Sequence, residues 1–475
     1  MDTIAAIAAG GNAPSAIGVV RVSGPDCFRV CGQIFRASRP FGELEARRMV
    51  LGEILDREGR VLDRGLAVRF PGPRSYTGED SAEFHCHGSP VVLREVLAAL
   101  FAAGAAGGIP VRQAGPGEFT KRAFLNGRLD LTQAEAVIDL IDAETAAAAR
   151  NAAAQLDGGL RRRLEPIQEA LLDVASRFYA VVDYPDEDIE DAGPEEIAAA
   201  LRGAEEALTA LLGACRRGKV LKRGVRTAIV GLPNAGKSSL LNALAGYDRA
   251  IVTGVPGTTR DTVEESVLCG GVLLRLIDTA GLRETEDEVE RLGVERSRRA
   301  MEEAELILLV SDDQVDMENR PLAYWEDFRQ LLAAVGGQET PWIFIASKRD
   351  LSGKTAGSIG AWGGERPWNG PAAYVSLSSV TGEGMKDLEK AVAALFPAGD
   401  PGEAGSLLTD QRQEDAARRA LDALRRGRAA LEGGLTPDAV LTDAEEALDA
   451  LGELTGRTAK EEIVERIFSR FCVGK

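Results

Sequence analysis

The sequence predicts a fold of α/β plus α class: an N-terminal α/β unit, a helical domain made from two stretches of chain, and a second α/β unit inserted between them. Three observations predict it. Residues 1–118 alternate short β-rich runs with Gly/Pro turns. From Thr132 onward, and again after Leu407, apolar residues recur at helical spacing. From Val225 to about Pro397 the pattern is strand, loop, helix, repeated, as in a sheet buried by helices on both faces. The boundaries drawn from these changes are 1–118, 119–217, 218–400 and 401–475.

In the first unit, 17–22 and 66–70 read as strands, and Phe70-Pro71-Gly72-Pro73 as a loop. Thr132-Gln133-Ala134-Glu135 has the form of a capping box opening a helix. Val137, Ile141, Leu171, Val174 and Phe178 then keep helical spacing. The run 183–196 holds eight carboxylates and reads as a solvated loop. Arg216, Arg217, Lys219, Lys222, Arg223 and Arg226 follow as a basic run. It could touch phosphates, but an exposed helix end and linker is the plainer reading, since cations suit a helix C-terminus. In the inserted unit, 226–230, 272–277, 306–311, 342–346 and 373–377 read as buried strands. Residues 402–405 read as a linker, and Thr442-Asp443-Ala444-Glu445 as a second capping box.

At 475 residues the chain has room for two to four domains at about 100–200 residues each. It is 45% hydrophobic and 27% charged, which excludes a disordered, collagenous or small disulfide-stapled protein. No apolar run approaches about 18 residues, so no membrane span is expected. With no basic and apolar leader at the N-terminus, a cytoplasmic location is expected. Six cysteines in such a chain read as free thiols. The net charge of −18 argues against a nucleic-acid-coated protein, but it is segregated: residues 1–125 carry 15 basic and 13 acidic side chains, a net of +2, leaving −20 for the rest.

Gly231-Leu232-Pro233-Asn234-Ala235-Gly236-Lys237-Ser238 fits the phosphate-binding loop G-x-x-x-x-G-K-S, between an apolar strand and a helix spanning 238–244. Its glycines let backbone N–H groups face phosphates at a helix N-terminus. Lys237 would reach the β- and γ-phosphates, and the Ser238 hydroxyl would ligate Mg²⁺. Asp278-Thr279-Ala280-Gly281 follows a strand, as a Walker-B aspartate and switch should. Gly257-Thr258-Thr259-Arg260-Asp261 offers a Thr for a second Mg²⁺ position. Ser347-Lys348-Arg349-Asp350 resembles the guanine-reading N-K-x-D. A carboxylate there accepts both the N1–H and the N2–H₂ of guanine, a pair that adenine lacks. Four pieces in this order point to a GTPase. Ser347 stands where Asn is usual, and Ser378-Ser379-Val380 where GTPases usually carry Ser-Ala-Lys. GTP preference with modest affinity is therefore expected. Leu282 follows Gly281 where Ras-like enzymes place a water-orienting Gln, so either hydrolysis is very slow or the water is positioned from elsewhere. Glu284, Glu286, Asp287, Glu288 and Glu290 are the nearby candidates.

Along nearly its whole length the chain resembles the MnmE (TrmE) family of tRNA-modification GTPases. The resemblance rests on Asp2-Thr3-Ile4-Ala5-Ala6-Ile7, Ile17-Gly18-Val19-Val20-Arg21-Val22-Ser23-Gly24, Tyr76-Thr77-Gly78-Glu79-Asp80, Pro116-Gly117-Glu118-Phe119-Thr120 and Arg122-Ala123-Phe124-Leu125-Asn126. It continues in Asn234-Ala235-Gly236-Lys237-Ser238-Ser239-Leu240-Leu241-Asn242 and in the closing Cys472-Val473-Gly474-Lys475. It implies an N-terminal domain like tetrahydrofolate-binding domains, a helical domain in two segments and an inserted P-loop G domain. It implies a homodimer through the N-terminal domains and a flavoprotein partner, MnmG (GidA), the two forming a heterotetramer. Together they would modify C5 of the wobble uridine of certain tRNAs to a (carboxymethyl)aminomethyl group. The one-carbon unit would come from 5-formyl- or methylene-tetrahydrofolate.

The resemblance also carries residues. Asn234, Thr253, Val255 and Thr258 would bind K⁺, within a loop that includes Gly254, Pro256 and Gly257. Thr259 would complete Mg²⁺ coordination, and Glu290 would orient the attacking water. The K⁺ would stand where an arginine finger stands in other GTPases. Arg21, Glu83, Arg128 and Lys475 would bind folate, with Arg at 128 where Lys is expected and residues 10–15 departing from the family's Gly-rich loop. Cys472 would be a reactive thiol; a buried thiol is the alternative. His85-Cys86-His87 puts two His on one strand face, but further ligands are needed for a metal site. Two other functions fit the G motifs: a regulatory GTPase switch in ribosome assembly, and a folate-dependent aminomethyl transferase with a regulatory G domain.

Overall fold

The structure is a computed structural model that describes residues 2–11, 13–183, 193–247, 265–277, 299–312, 322–336, 339–352, 370–397 and 405–474. The strands are β1 (Thr3–Ala9), β2 (Ser15–Ser23), β3 (Phe35–Arg36), β4 (Val50–Leu55), β5 (Val61–Phe70), β6 (Ser81–Gly88), β7 (Val111–Gln113), β8 (Val225–Val230), β9 (Glu265–Cys269), β10 (Val272–Ile277), β11 (Leu306–Asp312), β12 (Trp342–Ser347) and β13 (Ala373–Ser376). The chain divides into two compact units. One comprises Met1–Ile138, Gln155–Glu206 and Asp415–Lys475, the other Asp139–Ala154 and Ala207–Glu414.

The first unit holds a seven-stranded sheet of order β3-β4-β5-β6-β2-β1-β7, antiparallel except for the β1–β7 pair. Its pleat sorts side chains by period two. Val20, Val22, Ala82, Phe84 and Cys86 point to one face, where helices Cys27–Ile34 and Pro90–Ala106 cover them with Val30, Cys31, Leu93, Val96 and Leu100. Arg21, Glu83 and His85 alternate with these residues and so take the opposite face. Strand β1 is buried on both faces, because Ile4 and Ala6 pack with Ala114 and Phe119. The helical part of this unit packs Gly159–Asp183 against Pro437–Thr455. A further cluster joins Leu131 and Ala134 to Val464, Phe468 and Phe471 near the C-terminus.

The second unit holds a six-stranded sheet of order β13-β12-β11-β8-β10-β9, parallel except for the β9–β10 hairpin. Leu240, Leu241 and Leu244 of helix Lys237–Tyr247, with Leu388 and Val392 of Met385–Leu395, cover one face. Phe328 and Val335 of Leu322–Gly336 cover the other. Burial from both sides explains why these strands read as continuous apolar runs rather than alternations.

Local structure corrects two expectations and refines a third. The helix expected to open at Thr132 spans Leu131–Ile141, and Asp130 is its cap. Asp130 Oδ1 accepts from Gln133 N at 2.9 Å, and Gln133 Oε1 accepts from Asp130 N at 3.0 Å. The capping box is real but displaced, since a carboxylate caps as well as a hydroxyl. Thr442 lies inside helix Pro437–Thr455, so the second box caps nothing; Asp443 instead pairs with Arg426 at 3.1 Å. The basic run does end a helix, Cys215–Arg223, with Lys222 and Arg223 in its last turn and Arg216 and Arg223 exposed, but several of its cations are already paired. Lys222 Nζ lies 2.8 Å from Asp139 and 3.3 Å from Asp410, while Lys219 pairs with Glu414 and Arg226 with Glu303. These cations serve acids that come from remote parts of the chain, which spacing cannot reveal. Of residues 183–196, 184–192 lie outside the described residues, as do 401–404 of the expected linker; Gly405 N donates to Asn151 Oδ1 at 3.0 Å.

Candidate functional site

The phosphate-binding motif occupies the turn between β8 and helix Lys237–Tyr247, in the middle of the six-stranded sheet. This is the carboxyl edge of a parallel sheet, where open α/β folds bind ligands. Gly231 is required by space: a Cβ there would lie 2.3 Å from Val310 O of the neighbouring strand. Ala235 is buried, whereas Asn234, Ser238 and Ser239 are at least partly exposed. Gly236 has φ +98°, a conformation that suits glycine. Lys237 Nζ donates to Gly231 O and Leu232 O, both at 2.9 Å, and burial depresses its pKa.

The Ser347-Lys348-Arg349-Asp350 motif comes alongside at the end of β12, where Ser347 is in register with Asp312 of β11. Ser347 is 2% exposed, and its Oγ lies within hydrogen-bond distance of Ala235 O in the phosphate loop and of Ser311 O. Lys348 Nζ donates to Asn234 O and to Asp312 Oδ2, each at 2.8 Å. Two adjacent residues thus grip the loop from the next strand but one. Asp350 is exposed in the short helix Arg349–Ser352. Ser378 is fully buried and its Oγ accepts from Thr381 N at 3.2 Å; Val380 is 84% exposed. The backbone joins the two loops, with Arg349 N donating to Leu377 O at 3.2 Å. Sequence reasoning missed Ser311 and Asp312, because a strand-end carboxylate has no motif of its own. Thr253, Gly254, Val255, Pro256, Gly257, Thr258, Thr259, Asp278, Thr279, Ala280, Gly281 and Glu290 lie outside the described residues.

A second candidate site lies in the first unit. Arg21 and Glu83 are cross-strand partners, with Arg21 Nε donating to Glu83 Oε1 at 2.8 Å. The Arg21 guanidinium sits 5.6 Å from the Tyr76 ring centroid and 5.7 Å from that of Phe119. Its Nη1 donates to Gly474 O at 3.5 Å. His85 Nε2 stands 3.4 Å from Glu83 Oε2 on the same face. The C-terminal segment is seated here. Pro116 and Val473 form an antiparallel bridge, and Gly117 N donates to Cys472 O at 3.3 Å. Gly474, at φ +98°, lies so close to β1 that a Cβ would stand 2.4 Å from Ile7 O. Arg128 is exposed beside Gly78. Cys472 is exposed, which removes the buried-thiol alternative. Lys475 lies outside the described residues.

Behind this site lies a buried network that the sequence did not announce. Arg122 donates to Asp2 O and Oδ1 at 2.7 Å, to Glu79 at 3.1 and 3.2 Å, and to Glu118 at 3.0 Å. Glu79 accepts from Ser23 at 2.9 Å, and Ser23, Thr77 and Ser81 share hydrogen bonds. Burial works to raise the Glu118 carboxyl, but hydrogen bonds from Arg112, Gly115 N and Arg122 prevail and hold it at about 2. The two histidines do not join. His87 Nδ1 is 2.8 Å from Asp63, and among the described residues no group of three or more His, Cys, Asp or Glu is placed to hold a metal.

Residues 131–472 match the family model described as MnmE helical domain, and residues 3–128 match that described as GTP-binding protein TrmE N-terminus. The chain belongs to the MnmE family. A tRNA modification GTPase MnmE from Roseiflexus sp. (strain RS-1) is 43% identical, over 100% of this chain and 99% of the relative. The MnmE of Symbiobacterium thermophilum is 44% identical over the same shares. That of Thermus thermophilus is 42% identical over 97% of this chain and 96% of the relative.

Proposed function

We propose that this chain is a GTP hydrolase of tRNA modification, activated by K⁺, and that it works with the flavoprotein MnmG on C5 of the wobble uridine using a folate one-carbon unit. The observation that carries the reading is the loop 231–236, gripped by Ser347 and Lys348 at the carboxyl edge of a parallel sheet, in a chain related to MnmE proteins over its whole length. Among the described residues no helix is long and apolar enough to cross a membrane.

The residues fit their proposed roles. Loop N–H groups and the start of helix Lys237–Tyr247 face the phosphates. Lys237 moves from two loop carbonyls to phosphate oxygens, and its burial strengthens that attraction. Ser238 and Asn234 are accessible oxygen donors, the type that Mg²⁺ and K⁺ require. Ser238 with Thr259 would hold Mg²⁺, and Asn234 with Thr253, Val255 and Thr258 would hold K⁺. Bound metal supplies positive charge against the transferring phosphoryl group. Asp350 accepts the guanine N–H groups, and Glu290 orients water. Arg21 offers a cation for a folate carboxylate and Glu83 an acceptor for pterin N–H groups, with Arg128 and Lys475 as further cations. Cys472, exposed on the adjoining segment, is the proposed reactive thiol. A homodimer through the N-terminal domains, and a heterotetramer with MnmG, complete the assembly.

The test is GTP hydrolysis by the purified chain in K⁺ and in Na⁺ at equal ionic strength. Faster turnover in K⁺ is expected. Equal rates remove the K⁺ role, and no turnover in either ion removes the hydrolase.

A further inference from the structure

Position 347 is where this chain departs from the usual guanine-reading motif, and the structure gives that departure a specific meaning. Ser347 ends β12, is 2% exposed, and has a hydroxyl within reach of Ala235 O in the phosphate loop and of Ser311 O at 3.1 Å. Both neighbours are acceptors. A serine hydroxyl has one proton, so that proton goes to one carbonyl or the other. Guanine presents N7 and O6 as acceptors on the same edge, and reading that edge requires a donor. Ser347 has none left. An asparagine amide has two N–H donors and could serve a loop carbonyl and N7 together. The site is also tight, since a Cβ on Gly236 would stand 3.1 Å from Ser347 Oγ.

We propose that Ser347 is a positioning residue for the phosphate loop and gives guanine N7 no hydrogen bond, leaving base selection to Asp350. The inference rests on the GTP-binding reading above. Lys348 acts in parallel, joining Asn234 O to Asp312. Loop placement and base recognition, which one asparagine side chain can combine, are separated in this chain.

The probe is 7-deaza-GTP, in which a C–H replaces N7. Dissociation constants for GTP and 7-deaza-GTP are measured with Mg²⁺ on the full chain, for the wild type, Ser347→Ala and Ser347→Thr. The wild type is expected to bind both nucleotides within about twofold, less than a typical hydrogen bond contributes. Ser347→Ala should weaken both by the same factor, about 2- to 10-fold. Ser347→Thr keeps the hydroxyl but adds a methyl to this tight site, so it should keep the wild-type ratio of GTP to 7-deaza-GTP affinity whatever its packing costs. A wild-type preference for GTP that disappears in Ser347→Ala overturns the proposal, as does a Ser347→Ala variant with unchanged affinities. Failure of the wild type to bind either nucleotide would strike the nucleotide reading itself.

Discussion

Arg21 and Glu83 face one another across β2 and β6, 2.8 Å apart, on the sheet face opposite helices Cys27–Ile34 and Pro90–Ala106. The pairing follows from strand register: in a pleated sheet the opposite residues of an antiparallel pair share one face. Tyr76 and Phe119 stack around the guanidinium, and the Gly474 carbonyl approaches it. Arg21 is thus held by separate parts of the chain.

On the proposed folate role, removing Arg21 should lower folate affinity. For Arg21→Ala we expect 5-formyl-tetrahydrofolate affinity to fall at least about tenfold, the scale of a lost charge-assisted hydrogen bond. Titration calorimetry on the folded variant checks this. GTP affinity in the other unit should stay the same. Unchanged folate affinity would remove Arg21 from the site.

The Glu118 network predicts a pH signature. Its folded pKa of about 2 lies below the ordinary 4.5, so its stabilising contribution is full above about 4.5 and is lost as pH falls from there towards 2. Glu118→Gln should be less stable than the wild type at pH 7, by about 2 kcal/mol for a lost charged hydrogen bond. The gap should narrow as pH drops through that window. Urea denaturation from pH 7 to 3 measures it, and a gap independent of pH would contradict the assignment.

Alkylation separates the thiols. Cys27, Cys31, Cys86, Cys215 and Cys269 are buried, and burial pushes Cys86 and Cys269 up to about 12. Only the thiolate reacts, so these should stay silent at neutral pH. Iodoacetamide followed by peptide mapping should mark Cys472 in the native chain and all six in denaturant. Native labelling of Cys86 or Cys269 would contradict the fold around them.

Much of this was legible in the sequence because it is local. The phosphate loop sits between strand and helix as its spacing implies, and β8, β10, β11, β12 and β13 fall within a residue or so of the expected runs. Caps were located less well: Asp130 and Thr132 are both competent, and the fold decides between them. What stayed hidden depends on remote partners. Arg122 meets Asp2 across 120 residues of chain, and Lys222 meets Asp410 across 188. The acids that pair with cations of the basic run are distant in sequence, so those contacts could not be read from it. Ser347 was readable as a departure, but its commitment to Ala235 needed the neighbouring strand in place.

The most direct measurement is nucleoside analysis of tRNA from cells lacking this protein, complemented with the wild type or with Lys237→Ala. The account predicts that C5-modified wobble uridines disappear, return with the wild type and do not return with Lys237→Ala. Unaltered wobble uridines in the deletion strain would contradict it.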